Sequence, residues 1–182
     1  MITPLQQLIP MGGALLCAVV GSIHDLRDRR IPNWITGPAI LGGLLLHGVT
    51  GHWSGLGESV LAGVIAGAVA LVFWFAGGMG AGDVKLMAAV GCIAGLFDLH
   101  LLLFSIALAG GICGLALAVY HGRLRPTLSS AGSLLRHHLN HGLAPHPELN
   151  LNNPGTLRLP FALPIAAGCL ATLCSLVSGV SL

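Results

Sequence analysis

The sequence predicts an all-α, polytopic integral membrane protein, and three observations carry that prediction. Hydrophobic residues make up 54% of the 182 residues and charged residues 8%, with a mean hydropathy of +0.87. Such a chain cannot cover a water-soluble domain with polar surface, so lipid must be its solvent. The apolar stretches are rich in Gly, Ala and Leu and lack the alternating polar residues of a membrane-barrel strand. Only helices and closed barrels satisfy the backbone in hydrocarbon, which leaves helices.

A window of about twenty residues predicts about six transmembrane helices, at 5–23, 34–49, 56–76, 84–97, 99–120 and 159–180. The first lacks a basic n-region and runs straight into an acidic stretch, so it reads as a mature helix and not as a signal peptide. The second opens behind Pro32-Asn33-Trp34, where proline fits a first helical turn and tryptophan suits a membrane interface. The fourth is short and nearly continuous with the fifth, broken only at Phe97-Asp98-Leu99-His100. Its length predicts a tilted, neighbour-enclosed or re-entrant element. Gly63-x-x-x-Gly67, Gly91-x-x-x-Gly95 and Gly110-x-x-x-Gly114 predict close helix packing in the third, fourth and fifth spans. Residues 1–182 form a single membrane-embedded domain in this reading. Its one long hydrophilic stretch, 121–158, is broken by Pro126, Pro145, Pro147 and Pro154 and is expected to be a mobile cytoplasmic loop.

If the spans alternate, all eight Lys and Arg residues, namely Arg27, Arg29, Arg30, Lys85, Arg123, Arg125, Arg136 and Arg158, fall on one side. The positive-inside rule makes that side cytoplasmic. Asp25 and Asp83 share it, whereas Glu58 and Asp98 are stranded opposite. A formal net charge of +2 gives no nucleic-acid surface. The five cysteines (Cys17, Cys92, Cys113, Cys169, Cys174) form no Cys-x-x-Cys pair and read as small core residues. His137, His138 and His141 in the hydrophilic stretch lack an accompanying carboxylate or cysteine, so a solvated loop is favoured over a metal site.

Six acids in 182 residues make each carboxylate near a bilayer boundary a functional candidate. Asp25 lies in His24-Asp25-Leu26-Arg27-Asp28-Arg29-Arg30-Ile31-Pro32-Asn33 and Asp83 in Gly80-Ala81-Gly82-Asp83-Val84-Lys85. Alone, each could be an interfacial acid paired with a neighbouring base, and Asp28, nearer the arginines, is taken as structural. Together they suggest amide hydrolysis without a metal or cofactor. One carboxylate activates water, and a second, protonated one polarises the carbonyl. Two like charges about 4 Å apart at an effective dielectric near 20 repel by about 4 kcal/mol, enough to make such a pair share one proton near neutral pH. Gly80 and Gly82 allow a sharp turn and close backbone approach before Asp83. Helix N-terminal N–H groups would favour ionised Asp83. Lys85 either adds to that bias or anchors at headgroups, and Arg29 is a topology anchor.

At these residues the chain resembles the type IV prepilin peptidase family, membrane aspartic peptidases of the Gly-x-Gly-Asp class. The resemblance covers Asp25 with Arg29-Arg30-Ile31-Pro32-Asn33, then Gly80-Ala81-Gly82-Asp83-Val84-Lys85-Leu86-Met87, then Leu159-Pro160-Phe161-Ala162 and Ile165-Ala166-Ala167-Gly168. It implies that Asp25 and Asp83 are the catalytic aspartates and that Gly80, Gly82, Lys85, Arg29, Pro32 and Asn33 shape the two motifs. It also implies cleavage of a basic leader from a pilin or pseudopilin precursor, after a glycine and before an apolar helix, on the cytoplasmic side of the bacterial inner membrane. No cofactor is implied. Larger members carry a cysteine-bearing segment between their first two spans and methylate the new N-terminus. This chain has only the short 25–33 connection there, which speaks against methyltransferase activity, and its compact form looks like the dedicated peptidases of Flp or Tad-type pilus systems. The rival readings are a small ion-coupled transporter and a non-catalytic pilus or secretion assembly subunit.

Overall fold

The structure, a computed structural model, describes residues 4–76, 78–122, 133 and 160–179. They form α1 (Pro4–Asp28), α2 (Asn33–Phe75), α3 (Ala81–Ala94), α4 (Leu99–Tyr120) and α5 (Ala162–Ser178), with no strand among them. The 121–158 loop lies outside the described residues except at His121, Gly122 and Ser133, and so do His137, His138, His141 and His146.

Each helix ends where local chemistry stops it. Arg29 closes α1, its N–H bonded to the Asp25 carbonyl at 3.0 Å and its backbone in the left-handed region at φ 51. Pro32, extended at φ −73 and ψ 147, then opens α2, matching the fixed φ of proline. Gly80, extended, opens α3, and Gly95 ends it at φ +81. There the His47 ring sits so close that a Cβ on Gly95 would stand 2.7 Å from its Cε1.

The 34–49 and 56–76 spans run as one 43-residue helix interrupted at His52, whose φ of 54 and ψ of −140 are not helical. The chain doubles back there, because a Cβ on Gly55 would collide with the His47 carbonyl. Both arms of α2 then pack on α3. A Cβ on Gly43 in the first arm would stand 2.8 Å from the Cys92 backbone, and one on Gly91 would stand 2.7 Å from the Ala66 Cβ in the second. The His47 ring N–H bonds the Ile93 carbonyl at 2.9 Å and the Ser59 hydroxyl donates to the Cys92 carbonyl at 2.7 Å.

By length and composition, three described helical stretches could cross a membrane: Gln7–Asp28, Asn33–Phe75 and Leu99–Tyr120. The expected count of about six is not reached by that measure, for two reasons. The second and third spans are joined through His52, and α3 and α5, at 14 and 17 residues, are short. At 1.5 Å per residue, α3 spans about 21 Å against an apolar core of about 30 Å. It is enclosed instead of spanning, with Leu86, Ala89 and Val90 fully buried between α1 and the arms of α2, while α4 and α5 complete the bundle beside α1. Large apolar side chains such as Leu16, Leu45, Val64 and Ile112 face outward, as a lipid-solvated protein requires.

Two packing expectations need correction. A Cβ on Gly110 would make ordinary contact with Pro164 at 3.8 Å and Phe161 at 3.9 Å, whereas Gly114 meets nothing within 4 Å, so among the described residues only the first of that pair faces a neighbouring helix. Of the cysteines, Cys17, Cys92 and Cys169 are buried, but Cys174 is exposed and Cys113 intermediate.

Candidate active site

The stations meet because α1 and α3 run antiparallel in tight register. A Cβ on Gly13 would stand 3.2 Å from Ile93, and one on Gly21 would stand 2.9 Å from a Leu86 methyl. Asp25 lies four residues beyond Gly21 on the same face of α1, and Asp83 three residues before Leu86 on the same face of α3. The register therefore brings Asp25 opposite Asp83, at the end of the bundle where α1 stops and α3 starts. Asp25 is half-buried, Asp83 buried and Asp28 exposed.

Asp83 occupies the first turn of α3. Its Oδ2 accepts the Gly80 N–H at 3.2 Å, while the Asp83 N–H bonds the Gly80 carbonyl at 3.1 Å. The second carboxyl oxygen, Oδ1, is buried with no hydrogen-bond partner among the described residues. Burial foremost, and then the negative charge of Asp25, push the Asp83 carboxyl up to about 7, with the Gly80 N–H pulling the other way. The helix N-terminus was expected to favour the ionised form, but desolvation outweighs it. A carboxyl titrating at about 7 beside a second carboxylate lets the pair share one proton, one group protonated while the other is ionised.

The flanking residues hold this geometry. A Cβ on Gly82 would stand 3.3 Å from the Ile31 Cβ, so the missing side chain lets the loop between α1 and α2 sit on the first turn of α3. On Gly80 a Cβ would crowd Asp83 Oδ2 at 3.1 Å. Lys85 Nζ donates to Asn33 Oδ1 at 3.0 Å, pinning the start of α2 to α3. Pro32 opens α2, and Arg29, exposed, closes α1.

Two contributors escaped the sequence. Ile31 is 8% exposed and packs against Gly82; an apolar residue amid charges was the signal. Ser22, buried, donates to the Ala18 carbonyl at 2.7 Å and lies at 2.7 Å from the Ala162 carbonyl of α5. Nothing in the local sequence marks a residue 140 positions from its partner. The described residues contain no group of three His, Cys, Asp or Glu able to hold a metal ion.

Residues 13–115 match the model of the type IV leader peptidase family. Over 101 residues the chain is 37% identical to a protein of Aeromonas salmonicida strain A449 named prepilin leader peptidase/N-methyltransferase, covering 51% of this chain and 34% of that relative. A second Aeromonas salmonicida protein of the same name aligns with the same identity and coverage. The matched region thus spans about a third of the length of these relatives. No solved structure matches the chain significantly.

Proposed function

The chain belongs to the type IV leader peptidase family, and on that footing we propose that it is a membrane aspartic endopeptidase. Its substrate is a type IV pilin or pseudopilin precursor, whose basic leader it removes after a glycine on the cytoplasmic side of the bacterial inner membrane. The observation that carries the reading is Asp83: a buried carboxyl with one oxygen that has no partner among the described residues, raised by its burial and by the charge of Asp25.

The burial difference supports distinct roles. Asp83 holds the proton and hydrogen-bonds the scissile carbonyl; ionised Asp25 takes a proton from water, whose oxygen forms the new bond to the carbonyl carbon. As the tetrahedral intermediate collapses, the C–N bond breaks and Asp25 returns that proton to the leaving amine. Gly80 and Gly82 keep the approach to Asp83 open, and the Lys85–Asn33 bond keeps the two stations in register.

In this reading the arms of α2 are separate helices meeting at His52, so that α1, the two arms, α3, α4 and α5 make six membrane-embedded helices, with α3 enclosed by its neighbours and not itself crossing. Residues 29–32 leave no room for an inserted segment between α1 and α2, so the proposal takes the peptidase and not the methyltransferase of the relatives' name. An ion-coupled transporter would place its acids near the bilayer midplane, whereas Asp25 sits in the last turns of α1 and Asp83 in the first of α3. An assembly scaffold would not require the aspartates.

The test is cleavage of a pilin-like precursor, with basic leader and glycine junction, by detergent-purified wild type, Asp25→Asn and Asp83→Asn. Wild type alone should cleave. Cleavage by either variant would remove the dyad, and a folded wild type inert on several precursors would remove the peptidase.

A further inference from the structure

At the end of the bundle away from Asp25 and Asp83 lies a cavity of about 360 Å³ lined by the start of α1, the turn of α2 and the junction of α3 with α4. Gln7, His47, Glu58 and Asp98 supply its polar wall, and Leu46 and Phe97 belong to its apolar one. Asp98 is 5% exposed. Although it sits at the N-cap of α4, it makes no side-chain capping bond, and no other hydrogen bond or ion pair holds its carboxyl among the described residues.

Lining the cavity, the Asp98 carboxyl has no lysine or arginine to neutralise it among the described residues, and its one electrostatic partner there is exposed His100. All the described lysines and arginines (Arg27, Arg29, Arg30 and Lys85) lie at the other end, around the aspartate pair. Burial pushes the Asp98 carboxyl up, and exposed His100 pulls it partway back. A chelated metal does not fit, because the ionisable side chains do not converge as a metal site among the described residues. His47 is committed to the Ile93 carbonyl through its Nε2–H. The cavity therefore offers one partly desolvated acid in Asp98, a second and exposed one in Glu58, and apolar walls. Trp53, 88% exposed, stands on the same turn of α2, as an interfacial tryptophan does at headgroup level.

We propose that this cavity binds the primary ammonium group of an amphiphile, with Asp98 as its buried counter-ion, Glu58 as its rim charge and the apolar wall against its chain. A phosphatidylethanolamine headgroup has that chemistry, and so does a free amine. The inference does not depend on the peptidase reading, and its test does not measure proteolysis.

Delipidated, detergent-purified protein is titrated with phosphatidylethanolamine, phosphatidylcholine and phosphatidylglycerol and the retained lipid read by native mass spectrometry. Wild type should retain phosphatidylethanolamine about tenfold better than phosphatidylglycerol, the size expected of one charge-assisted hydrogen bond. Phosphatidylcholine, whose quaternary ammonium keeps the positive charge but has no N–H to donate, should fall between the two. Asp98→Asn should erase the preference, and Glu58→Gln, at an exposed position that leaves the core intact, should reduce it. Displacement of bound phosphatidylethanolamine by millimolar ethanolamine would assign the site to a soluble amine; resistance to it would assign the lipid. Equal retention of the three lipids by wild type, or a preference unchanged in both variants, overturns the proposal.

Discussion

Replacing Asp83 by Asn should remove a pH dependence of stability whose size follows from the burial of this carboxyl and from the charge of Asp25 beside it. Its pKa is about 7 in the fold against an ordinary 3.8; at about 1.4 kcal/mol per pKa unit, ionising it there costs about 4 kcal/mol more than in the unfolded chain. Between those two values the unfolded chain has lost the proton that the native protein still holds, so stability falls as pH rises. The contribution is present in full below about 3.8, declines through the interval and is gone above about 7. From pH 5 to pH 8 the loss amounts to about 2–3 kcal/mol. Asp83→Asn cannot ionise and should not share it, so its stability relative to wild type should rise over that range. Thermal unfolding of both proteins in one detergent at pH 5, 6, 7 and 8 measures this. Parallel curves would mean that Asp83 titrates as an ordinary acid, and the proton assigned to it in the cleavage mechanism would go with it.

Gly82→Ala, whose Cβ must gain only a few tenths of an ångström from Ile31 at 3.3 Å, should retain most cleavage. Gly82→Val should overpack that contact by about 1–3 kcal/mol and lose cleavage, with Ile31→Ala restoring part of it; absence of coupling in that double-mutant cycle would show that the glycine serves something else. Joint replacement of the five cysteines by Ala should leave cleavage within a few-fold of wild type, whereas Cys169→Ser, a hydroxyl placed at a fully buried site, should lower the unfolding temperature. If a thiol has a chemical role, the Ala protein will be inactive although folded. Chelators should not reduce cleavage, because two carboxylates carry the proposed chemistry; inhibition reversed by added zinc would contradict it.

Scarcity made the two stations legible. With so few acids in the chain, Asp25 and Asp83 stood out by position, and antiparallel α1 and α3 bring them opposite each other. Their neighbours were legible by type but not by contact: the pairing of Lys85 with Asn33 across 52 positions is set by how α2 docks, which no local pattern encodes. The same limit explains α3, whose hydropathy resembles that of a lipid-facing helix although its surroundings are protein. Composition cannot distinguish the two solvents, because a close-packed helix core and a lipid tail favour the same side chains. The break at His52 was legible, since the predicted spans ending at 49 and starting at 56 bracket it; what the sequence does not show is that the reversal is concentrated in one residue's dihedrals, with helix on either side.

The enclosure of α3 also bears on how the protein is made. A 14-residue helix cannot reach both faces of the hydrocarbon layer, so it has little reason to stay in a bilayer until α1 and the two arms of α2 surround it. If Asp25 and Asp83 form the proposed pair, a chain in which α3 has not yet docked on α1 and α2 would hold Asp25 without Asp83 beside it, and the pair would exist only in the closed bundle.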